Sequence, residues 1–119
     1  THFAENDVAV AKITPCFENR KSVIMRNLVN GIGAGTTELH IIRSINELVL
    51  PAYILIICKT DRFIKDGIST YTGTAGQQRF IMNYLIPLPP LAEQKRIVEK
   101  VDIIMNMLDE AESELTAKV

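Results

Sequence analysis

The stretch NYLIPLPPLAEQKRIVEKV, Asn83 to Val101, changes character at Leu91. Before it the chain is apolar and punctuated by Pro87, Pro89 and Pro90; after it the residues are charged, helix-forming and regularly spaced. Three prolines fix φ and withdraw backbone donors, so they stiffen the exit from whatever precedes them, and a proline just ahead of a helix suits its first turn. Leu91, Val98, Val101, Met105, Leu108 and Leu115 then fall on one seam at spacings of three and four, the heptad signature, with Gln94 and Glu112 at two seam positions. Ile97, Ile103, Ile104 and Met107 widen the apolar face over the first half, which predicts packing against the chain's own body early and against another helix throughout. Glu93 in the first turn favours the helix dipole, and Lys95 with Glu99 and Glu114 with Lys118 form supportive pairs four apart. A long terminal helix on a small body is therefore the first constraint.

The 119 residues suffice for one domain with an appendage, and 47% hydrophobic with 23% charged residues is ordinary for a globular chain. The longest apolar run, Leu48 to Cys58, has 11 residues and contains Pro51, well short of a membrane span. No membrane association is expected, and without a basic start and apolar middle at the front the default location is cytoplasmic. Thr1 in place of Met leads us to expect a processed or truncated chain with something missing upstream. Cys16 and Cys58 lie far apart with no Cys-x-x-Cys spacing or histidine pair, so neither a metal site nor a disulfide is expected, and His2 and His40 read as structural.

Net charge is −1, which by itself argues against a general nucleic-acid binder, but its distribution argues otherwise. Residues 12 to 79 carry nine basic and five acidic side chains, whereas the segment from Glu93 onward carries four basic and seven acidic. The body is mildly basic and the helix acidic.

Asp7 to Ile13 reads as a strand entering a loop at Thr14-Pro15, Val23 to Val29 as a second strand, and Thr36 to Ser44 as a third. Gly31 to Gly35, GIGAG, reads as a turn or flexible connection. A phosphate-cradling loop would need a helix N-terminus straight after it; the following Thr-Thr-Glu-Leu-His-Ile-Ile prefers strand. Pro51 suits the first turn of a helix, and Ala52 to Thr60 is expected as a buried one, although its Ile-Leu-Ile-Ile would serve a central strand equally well; Asp61 to Ile68 is expected as a shorter helix ending near Gly67. Gly73 to Gly76 is expected as a turn, Gln77 to Met82 as a short helix, and Tyr84 to Pro87 as a brief extended strand. The fold class is α+β: a small mixed domain of short strands and helices, residues 1–88, followed by one long coiled-coil-forming helix, residues 89–119.

In Gly73-Thr-Ala-Gly-Gln-Gln-Arg79, Thr74 could cap a helix whose N-terminal end gathers Gln77, Gln78 and Arg79, groups able to meet phosphates or base edges. A capped helix with an ordinary polar face fits the same residues. Lys12, Arg20, Lys21, Arg62 and Lys65 are further candidate phosphate contacts; taken singly each reads as a solvated charge, and as a set in a basic body either reading stands. No paired carboxylates in an apolar setting, nucleophile elbow or histidine metal site stands out, and no cofactor is expected.

With these residues in view, the chain resembles a specificity (S) subunit of a type I restriction-modification system. The resemblance rests on Asp7-Val-Ala-Val-Ala-Lys-Ile13, on Gly31 to Arg43, on Gly73 to Phe80, and above all on Ile86-Pro-Leu-Pro-Pro-Leu-Ala-Glu-Gln-Lys-Arg-Ile97, and it covers nearly the whole chain in order. It implies a target recognition domain of mixed structure reading one half of a split DNA sequence, and conserved helices that pair as an antiparallel coiled coil to set the spacing of two readers. It also implies a non-catalytic subunit, with adenine methylation and cleavage carried by partner modification (methyltransferase) and restriction subunits on double-stranded DNA. A full S subunit has two recognition domains, whereas this chain has room for the later part of one and a single helix. The seam Leu91, Val98, Val101, Met105, Leu108, Leu115 then needs a partner, and a homodimer is expected. Two other classes stay in play: a stand-alone helix-mediated interaction module without DNA binding, and a nucleotide-dependent enzyme using Gly31 to Gly35.

Overall fold

The computed structural model describes residues 1–12, 16–45, 48–70 and 73–118, with the side chains of residues 69, 70 and 73–75 left out of the description. The start of the predicted loop at Thr14-Pro15 and the side chain of Thr74 therefore lie outside the described residues. The observed order is β1 (His2–Ala4), β2 (Val8–Ala11), β3 (Ser22–Ile24), a 3-10 turn (Val29–Gly31), β4 (Ile32–Ala34), β5 (Leu39–Ile42), α1 (Pro51–Cys58), α2 (Asp61–Thr70), α3 (Gly73–Asn83) and α4 (Leu91–Ala117). The class is α+β, with a long final helix.

β2 is the centre of a three-stranded antiparallel sheet in the order β3-β2-β5, pairing Val8 with both Ile24 and Ile42. Its run Val8-Ala-Val10 is buried on both faces, which explains why it reads as continuous apolar sequence rather than as an alternation. Val8 and Val10 face a core of Phe17, Ile54, Cys58, Phe63 and Ile64. Phe63 has ring centroids 5.9 Å from Phe17, 5.4 Å from Phe80 and 5.1 Å from Tyr84, the last edge-on, so one aromatic cluster joins the loop after β2 to α2, α3 and the proline linker. Phe17, only 1% exposed, belongs to a segment that reads as loop from its charged neighbours Glu18 to Lys21.

Several expectations are corrected. The GIGAG segment is not a flexible connection: Gly31 turns the chain at φ 72°, and Ile32–Ala34 pairs antiparallel with β1, a strand the sequence reading missed. Its glycines serve close packing, because a Cβ at Gly33 would lie 2.5 Å from the Phe3 ring. The second strand ends at Ile24; Asn27 and Asn30 then adopt positive φ, which asparagine tolerates better than most residues, and the chain turns. Gly73 to Gly76 is not a turn but the opening of α3. Tyr84 to Pro87 belongs to neither sheet. The two predicted helices at 52–60 and 61–68 are present as α1, which starts at Pro51, and α2.

Asp7 ties the two sheets together. Its carboxylate accepts from Ala4 N at 2.8 Å and from Arg43 Nε and Nη2, both at 2.9 Å, while the Asp7 side chain is 2% exposed. The Arg43 hydrogen bond holds the Asp7 carboxyl below its ordinary value of 3.8, outweighing the opposing push of burial. A depressed carboxyl pKa stabilises the fold above its unfolded value, and the contribution disappears as pH falls through the folded value. Acid unfolding of the wild type should therefore show a loss of stability below about pH 4, and Asp7→Asn should lower Tm near neutrality by about 4 to 8 °C and remove most of that acid step. Parallel acid limbs in the two proteins would contradict this role. At Gly67 of α2 an added Cβ would meet Phe17 Cζ at 2.5 Å and Cε1 at 2.8 Å. Because that ring is locked in the core, overpacking outweighs the gain in helix propensity, and Gly67→Ala should cost about 1 to 3 kcal/mol in denaturant unfolding.

Candidate nucleic-acid interface and helix junction

The helix junction is built around Gln94. Pro90 caps α4 by accepting from Glu93 N at 2.9 Å and Gln94 N at 3.1 Å, and Gln94 occupies the inward face of this first turn, 0% exposed. Its Oε1 accepts from Leu50 N at 2.9 Å, and its Nε2 donates to Leu48 O at 2.9 Å and to Pro89 O at 3.0 Å. Leu48 and Leu50 lead into α1, so the side-chain amide pairs with a C=O and an N–H two residues apart, as a neighbouring strand's backbone would. Nearby, Tyr53 of α1 donates its hydroxyl to Pro87 O at 2.7 Å and clamps the linker. The polar residue that interrupts the apolar seam is the bolt that fastens α4 to the body. A polar side chain in the first turn of an otherwise apolar face was the signal available in the sequence, and it reads there as an imperfection.

Along α4, Leu91, Ile97, Val98 and Val101 are partly buried, whereas every described residue from Asp102 onward is exposed. Met105, Leu108 and Leu115 are 52%, 57% and 68% exposed, and Ile103, Ile104 and Met107 lie open beside them. Of the six seam residues, the first three thus face the body and the last three form a bare apolar edge. Residues 102 to 117 would extend about 24 Å at helical rise.

Of the basic candidates, Lys21, Arg62, Lys65 and Arg79 are exposed and Lys12 is partly so. Arg62 and Lys65 share α2, and Arg62 lies 3.8 Å from Asp66. Arg62, Asp66, Arg79 and Asn83 border an open groove between α2 and α3 with Phe80 and Tyr84 against it. Arg20 is held at φ 57°, unusual for a residue other than glycine or asparagine. Its guanidinium donates to Lys59 O at 3.0 Å and pairs with Asp61, so it fastens the loop after β2 to the α1–α2 corner beside Lys21. Arg26 and Arg43 add to the exposed cations, Arg43 being engaged by Asp7.

Gln77 and Gln78 part company. Gln78 is exposed near Lys12 and Met82. Gln77 is 1% exposed; its Oε1 lies 2.7 Å from His40 Nε2 and its Nε2 donates to Lys12 O at 3.2 Å. Its amide is thus engaged inside the body, where it fixes α3 on the sheet and so orients Gln78 and Arg79. Burial pushes the His40 pKa down, against the Gln77 bond and with the help of the Lys12 charge.

Cys58 lies in the core, its thiol pushed up to about 12 by burial. Among the described residues no group of three or more His, Cys, Asp or Glu is placed to hold a metal ion, and no helix is long and apolar enough to cross a membrane. A cavity of about 230 Å³ lies among Ile42, Ile54, Ile57, Phe63, Ile81 and Ile86, with Arg43, Ser44, Cys58 and Tyr84 also in its lining.

The family model for the type I restriction modification DNA specificity domain matches residues 5–119. The chain is 48% identical over 118 residues, 96% of its length, to the type I restriction enzyme EcoAI specificity subunit of Escherichia coli, and to the same extent to the EcoEI specificity subunit of that organism. It spans 20% of the length of each. No solved structure matches. With the match running from the first turn through the aromatic core and Gln94 to the end of α4, the chain belongs to the family of type I restriction modification DNA specificity domains.

Proposed function

We propose that the chain is a non-catalytic DNA-recognition element. In this reading the body, residues 1–88, reads part of a double-stranded target, and residues 89–119 are the arm that holds it at a set distance from a second reader. Adenine methylation and cleavage would be carried by the modification and restriction subunits of a cytoplasmic complex. The observation that carries the reading is the identity with two curated specificity subunits over 96% of the chain. The exposed cations Lys21, Arg62, Lys65 and Arg79 support it, since phosphate contact needs accessible Lys and Arg. Gln78 lies with Arg79 on α3, where it can reach a base edge; Lys12, near Gln78, and Arg20, on the loop with Lys21, are secondary contacts, and Thr74 and Gln77 stay in the proposed set as residues of the same helix, Gln77 by orienting it.

The open half of α4 supports a homodimer whose bare edge is Met105, Leu108 and Leu115; Leu91, Val98 and Val101 of the same seam lean on the body and could meet a partner only along their exposed flank. Charge favours an antiparallel pair: residues 91 to 101 carry three basic and two acidic side chains, and residues 102 to 117 carry five acidic and none basic. Two copies side by side in the same direction would set the acidic halves together, whereas opposed copies set acid against base.

Duplex binding by fluorescence anisotropy over a series of salt concentrations tests the reader. Arg79→Ala and Lys21→Ala should each weaken binding and reduce the salt slope by about 1; unchanged affinity across both would remove this face from the reading, and a dimer with no duplex binding would make the chain an interaction module. Sedimentation tests the pair. The wild type should be dimeric at micromolar concentration, and Leu108→Asp should shift it to monomer without lowering the Tm of the body; a wild-type monomer would contradict the pairing.

A further inference from the structure

We propose that Gln94 is the positioning residue that fixes the direction in which α4 leaves the body, and thereby the separation at which two DNA half-sites are read. This rests on the reading of α4 as the arm between two readers, and adds to it the joint where that arm is locked. A helix attached only by an apolar stripe can roll and slide, because burial of apolar area is not directional. Leu91, Ile97, Val98 and Val101 supply such a stripe. Gln94 adds what the stripe lacks: three hydrogen bonds of 2.9 to 3.0 Å, to Leu48 O, Leu50 N and Pro89 O, made by one side chain with no exposed surface. Both amide hydrogens and one oxygen lone pair are used, and rotating α4 about its axis or shifting it by one residue would break the two bonds that cross to the body, those to Leu48 O and Leu50 N.

The partners extend the lock in two directions. Leu48 and Leu50 belong to the segment that starts α1, which packs on β2 and β3, so the amide is referenced to the sheet through one helix. Pro89 belongs to the linker, whose upstream end is held at Pro87 by Tyr53. An angular error at residue 94 is amplified along the helix: over the roughly 35 Å to Ala117, a tilt of about 15° displaces the tip by about 9 Å, more than two base-pair steps at about 3.4 Å each. Looseness here would blur spacing while leaving base contacts intact.

Pulsed electron-electron distance measurements on the full chain test this, with spin labels on unnatural side chains at exposed positions 26 and 114 and labelled chain diluted in unlabelled chain so that distances are within one protomer. The wild type should give one narrow distribution, Gln94→Ala a broad one with the body still unfolding cooperatively, and Tyr53→Phe a distribution as narrow as wild type. A narrow, unshifted distribution in Gln94→Ala overturns the proposal, as does equal broadening in Tyr53→Phe, which would give the role to the linker. Gln94→Leu fills the same space without a hydrogen bond and carries the readout if Gln94→Ala does not fold; loss of the folded body in both variants makes Gln94 a stability residue and also overturns it. Selection from a random duplex pool reads the consequence: wild type should enrich paired half-sites at one separation, and Gln94→Ala the same half-sites at scattered separations. A single shared separation contradicts the proposal, whereas no enrichment by wild type strikes the DNA-reading function itself and leaves the distance result to decide the joint.

Discussion

A primary amide sealed from water must find hydrogen bonds inside the protein, and Gln94 finds three, all to backbone atoms of Leu48, Leu50 and Pro89. Each such group left unsatisfied costs about 1 to 3 kcal/mol, so the first turn of α4 has one seat on the body. The stiffness of Pro87, Pro89 and Pro90 limits the approach to that seat, and Tyr53 holds the approach from the other side. Everything the long helix can do for the rest of the molecule passes through this junction.

On the body side, the seat is only as firm as the layer beneath it. α1 is apolar around its whole circumference, with Tyr53, Ile54 and Cys58 buried, because it is covered by the sheet on one side and by α2 and α4 on others. The sheet in turn is braced by Asp7 and Arg43, and α3 is braced on it by His40 and Gln77. These polar pairs occur where backbones of different segments meet, and each fixes a register that apolar packing alone leaves loose. The exposed cations are thereby mounted on braced elements: Arg62 and Lys65 on α2, Arg79 beside the neutral Gln78 on α3, Lys21 on a loop that Arg20 ties to the α1–α2 corner.

The long helix and its face were legible because both the start signal and the periodicity are local: prolines ending at residue 90, then apolar residues at three and four. α2 was legible from local periodicity too, whereas α1 offered only Pro51 as a start signal, and its all-apolar Ile-Leu-Ile-Ile run suits a central strand equally well. What local pattern cannot encode is pairing between distant segments. β1 is three residues long and owes its existence to Gly33 lying under Phe3, a contact across thirty residues of chain. Phe17 reads as a loop residue because its neighbours are charged, and only the assembled α2 and α3 show that it fills the core. In the candidate site, Arg62, Lys65 and Arg79 stand out by charge and Gln78 by its place beside Arg79, whereas Gln77, next to Gln78, is turned inward by a partner thirty-seven residues away. Gln94 is visible in the sequence as a polar residue on an apolar seam, but a seam predicts a partner helix and gives no hint that a backbone amide lies there instead.

The claim that a reader and its arm form one rigid unit through a buried amide is tested most directly by residual dipolar couplings of backbone amides in the weakly aligned, isotope-labelled protein. The account predicts that couplings from α1, α2 and α4, including the exposed turns after Asp102, fit a single alignment tensor with one orientation of α4 against α1. Couplings that require separate tensors for the body and for α4 would show an arm that swings, and would contradict the account.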